Sequence, residues 1–266
     1  MEHLNYNHEL RKIKSIETLR KLFSEFISLA RDILTDFNNQ SNPDFHKIVY
    51  QNLLQRLYLG ISAIDILFDK FLKNKYFKYP IAIQMRTCIL DSITIAYLAL
   101  FIDKQNDTKF REQVCKLNHP LAREINDEII EKIKNRDSKY DENSKLALSY
   151  FSDNFTNEGG IKLKKVKELK PSDMVKSLKG TPLEWYSDIY KLYKHYSKYE
   201  HYNSISKNLI EFDVEYEFDN FTFSTAFIFQ AAYMTMQFME IDKEKIEKMK
   251  LIRDRIIEVE PTFDKI

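Results

Sequence analysis

The stretch that decides the fold is YPIAIQMRTCILDSITIAYLALFI, residues 79–102, the most apolar run in the sequence. It carries only two charged residues, Arg86 and Asp91, and polar side chains are few on every side of it. A helix that is apolar all round is buried, either in a protein core or in a membrane. Gln84 and both charges fall inside the run, and basic flanks of the usual kind are lacking, so we interpret it as a central core helix at about 80–103.

The composition of the chain favours helices along the rest of its length. A hydrophobic fraction of 44% is enough for a sizeable core, so a wholly disordered chain is excluded. Only 4 Gly and 6 Pro occur among 266 residues, which leaves few of the turns that an all-β fold requires. We therefore predict a single all-α domain, residues 1–266, built as an antiparallel bundle of long helices.

Apolar residues mark further helices by recurring at alternating steps of three and four, the spacing of one buried stripe. The stripe of the first helix comprises Ile16, Leu19, Phe23, Phe26, Ala30, Ile33 and Phe37. We predict core helices at about 8–37, 44–73, 80–103, 182–201 and 221–240. More polar segments predict a smaller peripheral layer at about 104–155, with helices near 107–117, 119–135 and 141–154. A short helix in PSDMVKSL, residues 171–178, and a charged one near 242–258 complete the fold.

Two segments alternate with the period of two that is typical of strands. In IEFDVEYEFD, residues 210–219, apolar side chains alternate strictly with acidic ones, and the lysine-rich IKLKKVK, residues 161–167, alternates in part. Opposite charges on neighbouring strands stabilise a pair by roughly 0.2–1 kcal/mol each. We predict either a short two-stranded ribbon between about 161–167 and 210–218, or two surface loops that do not pair.

The charge balance and the cysteines limit the class of protein. The formal net charge is +1, so nothing implies bulk electrostatic capture of nucleic acid or membrane, although a local basic site is compatible with it. Cys88 and Cys115 are the only cysteines, and neither belongs to a metal-spaced pair, as expected in a reducing compartment. The N-terminal MEHLNYNHELRKIK lacks the apolar region of a secretory signal. We predict a cytoplasmic protein with no metal, no cofactor and no membrane partner.

A second informative stretch, YKHYSKYEHYNS at 193–204, places a tyrosine at every third position. The preceding TPLE, residues 181–184, has the spacing of a capping box and predicts where its helix begins. At 100° per residue, one arc of this helix is a core stripe formed by Trp185, Ile189, Leu192, Tyr196 and Tyr199. A second arc lies beside it and comprises Tyr186, Tyr190, Tyr193, Ser197 and His201. The remaining, solvated side carries Lys191, Lys194, His195 and Lys198.

Ser197 and His201 share the second arc at a spacing of four. A histidine beside hydroxyl groups is held in one tautomer, and near neutral pH it can accept or donate a proton. Two interpretations are open. His201 is either a catalytic acid or base, or a core histidine with satisfied hydrogen bonds that fixes the following loop.

Arg86 presents a similar choice. An arginine cannot lose its charge, so within an apolar helix it needs partners. Asp91 lies five residues further on, about 140° around the helix, where a direct pair is poorly aligned. Either Arg86 and Asp91 belong to a buried ion-pair network between helices, or Arg86 faces an interior cleft and binds an anion.

Three motifs together carry a resemblance to a known family. They are RTCILD at 86–91, KPSDMVKSL at 170–178, and YSDIYKLYKHYSKYEH at 186–201. In order and spacing they resemble a bacterial all-helical family known only as a domain of unknown function. Its members carry an arginine and an acidic residue on one helix, and a Tyr…Ser…His pattern on a later helix. The resemblance covers roughly residues 45–240.

More distantly, the sequence resembles the HEPN superfamily of helical bundles, which includes ribonucleases of toxin–antitoxin and phage-defence systems that are typically dimeric. The HEPN signature is an arginine followed, after four to six residues, by a histidine on the same helix. Before His201, the corresponding positions hold Lys194, His195, Tyr196 and Ser197, with no arginine. Either Arg86 supplies that charge from another helix, or the protein is not a nuclease of the HEPN type.

Two hypotheses for function follow. In the first, the resemblance implies a metal-independent ribonuclease or nucleotide-processing protein of bacterial defence or stress response. His201 would be the general base or acid on a ribose 2′-hydroxyl, and Arg86 would stabilise phosphate charge. The substrate-binding residues would be Lys194, Ser197, Asp91 and Tyr190.

In the second hypothesis, the protein is a non-catalytic helical module for binding or oligomerisation. Arg86, Asp91 and His201 would then form a buried polar network that fixes the register of the helices. The acidic segment 211–219 would be the surface for a protein partner. The predicted partners are thus RNA or a nucleotide, a second copy of the chain in a homodimer, or a protein that binds the acidic segment.

Overall fold

The computed structural model of the chain describes residues 2–71, 73–103, 105–134, 149, 151–156, 162–199 and 214–259. Within these ranges the fold is all-α, with eight α-helices, a few 3-10 turns and one two-stranded antiparallel ribbon. The predicted fold class is therefore confirmed.

The helices follow one another along the chain with short connections in the first third. They are α1 (Glu2–Asn38), α2 (Phe45–Phe71), α3 (Lys78–Ala99), α4 (Thr108–Lys134), α5 (Pro171–Ser177), α6 (Ile189–Ser197), α7 (Val214–Phe238) and α8 (Lys243–Asp254). The 3-10 turns are Lys75–Phe77, Ser152–Asn154, Glu184–Asp188 and Arg255–Glu258. The two strands are β1 (Phe155–Thr156) and β2 (Lys162–Leu163).

The chain divides into two compact units. The first comprises Met1–Tyr97 and Val175–Ile266, and the second comprises Leu98–Met174. The segment 104–155, expected to form a peripheral layer, falls within the second unit. The expectation of one domain over 1–266 stays a prediction.

The core of the first unit lies where α1 and α2 meet α7 and α8. All seven residues of the stripe predicted for α1 are buried, from Ile16 to Phe37. Aromatic rings connect the helices, with centroids of Phe23 and Phe68 5.8 Å apart and those of Phe26 and Phe229 5.5 Å apart. Phe68 also meets Phe221 edge to face at 5.6 Å, so one phenylalanine cluster joins three helices.

Helix α3 is buried on most of its circumference, as its all-round apolar sequence predicts. It is the described helix that is long and apolar enough to cross a membrane by length and composition, and 67% of its most apolar window is buried within the protein. Burial of this extent is typical of a core helix. The absence of a membrane partner stays a prediction.

Helices α2 and α3 approach closely at one point. A Cβ atom added to Gly60 would lie 2.3 Å from the Sγ atom of Cys88, which is fully buried. One turn away on the same faces, Arg56 of α2 pairs with Asp91 of α3. The absence of a side chain at Gly60 therefore sets how near the two helices come.

The second unit is built on α4, which runs through Pro120 as one helix where two had been predicted. Its buried side includes Phe110, Val114 and Ala122. The ribbon exists, but the partner predicted for its lysine-rich strand was wrong. Phe155 pairs with Leu163 and Thr156 with Lys162, so β2 pairs with β1 rather than with residues near 210–218.

The strand predicted at 210–218 is wrong for its described part, because Val214 begins the 25-residue helix α7, whereas residues 210–213 lie outside the described ranges. The alternating pattern is ambiguous. Apolar residues at i, i+2 and i+4 include a pair four residues apart, and that spacing also places two residues on one face of a helix. Phe218 continues into Phe221, Thr225 and Ile228, all fully buried, which is a helical stripe. The role of the acidic segment 211–219 as a surface for a partner stays a prediction.

The tyrosine helix begins differently from its prediction. The predicted capping box does not form, because the N-cap of the turn is Leu183, which makes no side-chain cap bond. The Thr181 hydroxyl instead accepts from the N–H of Leu183 at 3.1 Å, and the Glu184 carboxylate accepts from the N–H of Gly180. Residues Glu184–Asp188 then form a 3-10 turn, which advances 120° per residue rather than 100°. As a result Trp185, predicted in the core stripe, is 52% exposed, and Tyr186 is fully buried in its place.

Candidate functional site

Arg86 joins α3 to α6 across 111 residues of sequence. Its Nε atom donates to Ser197 Oγ at 3.1 Å, and its Nη2 atom donates to Tyr193 OH at 3.1 Å. Both acceptors lie on the arc of the tyrosine helix that was singled out from its spacing. The structure thus brings together Arg86 and Ser197, two of the residues predicted for the site.

Ser197 can take part in two hydrogen bonds at once because its hydroxyl is both donor and acceptor. It accepts from Arg86 and donates to the carbonyl of Tyr193, one turn earlier on the same helix, at 2.7 Å. The second bond fixes the rotamer of the serine, so its oxygen is held toward the arginine. Tyr193 contributes its side-chain hydroxyl to Arg86 and its backbone oxygen to Ser197.

Two tyrosines and two cations form a row on this side of α6. The rings of Tyr190 and Tyr193 are stacked with centroids 5.9 Å apart and planes 12° apart. Lys194 Nζ lies 5.6 Å from the centre of the Tyr190 ring, and Arg86 Cζ lies 5.1 Å from that of Tyr193. Cation–π attraction of this kind is worth about 0.5–1 kcal/mol at exposed sites. Tyr190 and Lys194, both predicted for the site, are therefore connected to Arg86 by the ring of Tyr193, which stacks on Tyr190 and contacts the guanidinium.

The helix that carries this row is anchored from its opposite side. Tyr196 is fully buried, its ring is stacked on Phe221 at 6.2 Å, and its hydroxyl accepts from Ser224 at 3.2 Å. Tyr199 is also fully buried. The alternation of buried and half-buried tyrosines along α6 thus positions Tyr193 and Ser197 toward α3.

Asp91 pairs with α2 rather than with Arg86, which corrects the predicted network of these two residues, whereas its predicted role in substrate binding stays a prediction. Its two carboxylate oxygens accept from Arg56 of α2, from Nη2 at 2.9 Å and from Nε at 3.1 Å. The side chain of Asp91 is 4% exposed and that of Arg56 is 58% exposed. Burial raises the pKa of Asp91 from 3.8 to about 6, although Arg56 acts in the opposite direction.

Two contributions were missed from the sequence, namely the pairing of Arg56 with Asp91 and the hydrogen bond from Arg86 to the hydroxyl of Tyr193. Tyr193 had been placed on the correct arc, but its hydroxyl was not recognised as a partner for Arg86. Arg56 gave no signal, because a charged residue at the edge of an apolar stripe is common on any amphipathic helix. Long arginine side chains reach partners that the spacing within one helix does not reveal.

His201 lies outside the described residues, so its proximity to Arg86 stays a prediction. Among the residues that are described, no group of three or more His, Cys, Asp or Glu side chains is placed to hold a metal ion. The chemistry shown by the described part of the site is therefore that of a fixed guanidinium flanked by hydroxyls, aromatic rings and a lysine.

Comparisons with protein-family models, with curated proteins and with solved structures found no match to this chain. The resemblance carried by the three short motifs accordingly stays a prediction, and the function is argued from the geometry of the site.

Proposed function

We propose that the protein is a metal-independent ribonuclease or nucleotide-processing protein of HEPN-like character, with Arg86 at its phosphate-binding site. The observation that supports this most is the pair of hydrogen bonds from Arg86 to Tyr193 and Ser197. Arg86 is not the partner of Asp91, which pairs with Arg56. The side chain of Arg86 is directed at α6, the helix that ends four residues before His201.

Neutral hydroxyl partners suit an arginine that binds an anion. They fix the orientation of the guanidinium through two of its nitrogens, Nε and Nη2. The neighbouring rings of Tyr190 and Tyr193 exclude water from one side, which strengthens the attraction between a cation and a phosphate. Lys194, over the outer tyrosine, adds a second positive charge along the same row.

In the proposed reaction, His201 removes a proton from the ribose 2′-hydroxyl, and the 2′-oxygen attacks the adjacent phosphorus. The bond from phosphorus to the 5′-oxygen of the next nucleotide breaks, that oxygen leaves as a hydroxyl with a proton from water, and a 2′,3′-cyclic phosphate remains. Arg86 stabilises the charge that develops on the phosphate oxygens, and Ser197, whose hydroxyl proton is donated to the carbonyl of Tyr193, holds the guanidinium in position. Lys194 contacts a neighbouring phosphate. A cytoplasmic setting in bacterial defence or stress response is the part of the proposal that rests on the resemblance alone.

The test is cleavage of single-stranded RNA by purified protein in the presence of a chelator. Arg86→Lys and His201→Ala should each reduce the rate by at least ~10²-fold, the usual contribution of one acid–base or oxyanion group, with unchanged melting temperature. Lys191→Ala is the matched control, since Lys191 is an exposed cation of the same helix, paired with Asp188. Wild-type protein that cleaves no RNA, or a His201→Ala variant that cleaves normally, would exclude the nuclease.

The second candidate function is a non-catalytic helical module for binding or oligomerisation. The observation that favours it is the Arg56–Asp91 pair, since a buried carboxylate held by two hydrogen bonds fixes the register of α2 against α3. In this case a second copy or a protein that binds the segment 211–219 would be the partner. Two results together would distinguish this candidate from the first. The wild type should cleave no RNA, and Arg56→Met should lose self-association or the binding of a partner.

A further inference from the structure

The second unit contains an open cavity of about 350 Å³ that none of the residues of the Arg86 site lines. One wall is the first turns of α4, including Arg111, Cys115 and Lys116, and the facing wall includes Asp153, Lys164 and Val166. Pockets that bind small molecules occupy about 300–1,000 Å³, so this volume suits a ligand at the small end of that range.

Hydrogen bonds between the two walls hold the cavity open in a defined shape. Cys115 Sγ donates to the carbonyl of Asp153 at 3.3 Å, and Asn154 Nδ2 donates to the carbonyl of Cys115 at 2.8 Å. One turn further along α4, His119 Nε2 donates to the carbonyl of Lys164 at 2.8 Å. Asn154 and His119 are 1% and 6% exposed, so these ties are internal to the unit. The cavity is therefore preformed rather than made by ligand binding.

The positive groups at the cavity differ in what they contact. Lys164 Nζ donates to the carbonyl of Asp153 at 2.6 Å, and Lys116 Nζ donates to the amide oxygen of Gln113 at 3.2 Å. Both acceptors are neutral, so these bonds leave the ammonium charges uncancelled, and a lysine can turn on its flexible stem toward an anion. Arg111, in contrast, contacts the carboxylates of Asp107 and Asp153.

The rest of the lining limits the ligand. Glu112 and Asp153 place carboxylates at the cavity, which would repel a multiply charged anion such as a phosphate more strongly than a single carboxylate. Val166, the thiol of Cys115 and the lysine stems offer apolar surface. A ligand that satisfies both conditions has one negative charge and an apolar body.

We propose that this cavity binds a small organic monocarboxylate, held by the ammonium groups of Lys116 and Lys164, with its apolar part against Cys115 and Val166. This site is independent of the proposed ribonuclease, because it shares no residue with it. It gives the second unit a ligand-binding role of its own.

Cys115 makes the proposal measurable in the intact protein. The sequence has only one other cysteine, Cys88, which is fully buried, whereas the thiol of Cys115 lies at the cavity. Partial burial raises the pKa of Cys115, so alkylation should be followed at about pH 8.5, where more of the reactive thiolate is present. The reagent is N-ethylmaleimide, which carries no charge, and Cys115→Ser measures any contribution of Cys88.

The probe is 4-phenylbutyrate, and its neutral amide and inorganic phosphate are the comparisons. We expect millimolar 4-phenylbutyrate to slow alkylation of Cys115 at least fivefold, and the other two to have little effect. The double variant Lys116→Gln/Lys164→Gln should lose this protection while its unmodified melting temperature stays within a few degrees. Lys165→Gln removes an exposed neighbouring charge outside the cavity and should keep the protection.

Each other outcome overturns the proposal. Equal protection by the amide would show that the carboxylate is not recognised, and equal protection by phosphate would show that the apolar body is not. No protection by 4-phenylbutyrate, or protection that survives in the double lysine variant, would remove the site.

Discussion

At the scale of single residues, the pair of Arg56 and Asp91 is the clearest electrostatic feature of the described chain. It also shows why the partner of Arg86 could not be read from the sequence. Arg86 and Asp91 are the two charges within the apolar run 79–102, so a shared ion-pair network was a natural expectation. Each instead contacts a different helix, α6 for Arg86 and α2 for Asp91. Which face of α3 meets which neighbour depends on tertiary packing, and spacing along one helix carries no information about it.

Asp91 should make stability depend on pH in an unusual direction. Its pKa is raised from 3.8 to about 6 in the folded protein, so the folded state binds more protons than the unfolded chain between these values. The contribution of this carboxyl to stability is fully present below about pH 4 and is lost as pH rises through about 6. At 1.36 kcal/mol per pKa unit, the loss is about 3 kcal/mol.

Asp91→Asn removes the titration and keeps the shape of the side chain. The free energy of unfolding of the wild type, minus that of the variant, should therefore fall by about 3 kcal/mol between pH 4 and pH 7. Urea unfolding followed by the fluorescence of Trp185, the only tryptophan, gives both values, and other titrating groups cancel in the difference. A difference that is constant with pH would mean that the pKa of Asp91 is not raised, and a difference that rises would mean that Arg56 outweighs burial and lowers it.

Arg56, and not Arg86, should be coupled energetically to Asp91. Arg56→Met leaves a buried carboxylate without its pair, which should destabilise the protein by about 2 kcal/mol at pH 7, less than for a fully buried pair because Arg56 is 58% exposed. Adding Asp91→Leu should recover most of this loss. In a double-mutant cycle Arg86→Met should be additive with Asp91→Leu, and coupling of Arg86 rather than Arg56 would contradict the observed pairing.

At the scale of helices and strands, the sequence was informative wherever one periodicity dominated. The stripe from Ile16 to Phe37 predicted α1 and its buried face, because steps of three and four fit no strand. The segment from Val214 to Asp219 failed because its apolar residues satisfy both periods, and only continuation into Phe221 decides for a helix. The predicted burial of Trp185 was wrong for a different reason. A 3-10 turn changes the angular position of every residue that follows it, and the spacing of apolar residues does not reveal such a turn.

The close approach of α2 and α3 gives a prediction at this scale. Gly60→Ala would place a Cβ 2.3 Å from Cys88 Sγ, so the helices must separate, at a cost of about 2 kcal/mol. Cys88→Ala removes the obstructing atom. Because alanine favours a helix over glycine by about 1 kcal/mol, Gly60→Ala should become neutral or stabilising once Cys88 is alanine. Thermal unfolding of the four proteins checks this, and an equal cost of Gly60→Ala in both backgrounds would show that Cys88 is not the obstacle.

At the scale of the whole molecule, the sequence predicted the fold class and the order of the long helices but not the division into two units. The polar character of the segment after about residue 104 was noticed, and a smaller layer was inferred from it. A compact unit is defined by contacts between residues far apart in the sequence. Arg123 of α4, for example, pairs with Glu168 beyond the ribbon, and no pattern within either segment predicts such a pair. The same limit applies to function, since the sequence predicted one site containing Arg86 and Ser197, and only the fold shows the hydrogen bond between them.

The two units should differ in stability, because stability depends on how much apolar surface each one buries. In the described residues of the second unit, the buried hydrophobic side chains are few, namely Leu98, Phe110, Val114, Ala122, Phe155 and Met174. The first unit buries most of α1, α2 and α7, with a cluster of phenylalanines among them. A small core supports a low free energy of local opening, so the second unit should open without the first.

Native-state hydrogen exchange with peptide resolution measures this directly. Amides in the first half of α4, Phe110–Ala122, should exchange through openings that cost at least ~2 kcal/mol less than those of Leu53–Ile64 in α2. Low concentrations of urea should leave the exchange of α2 and the fluorescence of Trp185 unchanged while α4 already exchanges faster. Phe110→Ala should widen the gap, because it removes a fully buried ring from the smaller core alone, whereas Phe68→Ala should narrow it. If α2 and α4 exchange with the same free energy and the same dependence on urea, the chain unfolds as one cooperative body, and the difference in core size has no thermodynamic consequence.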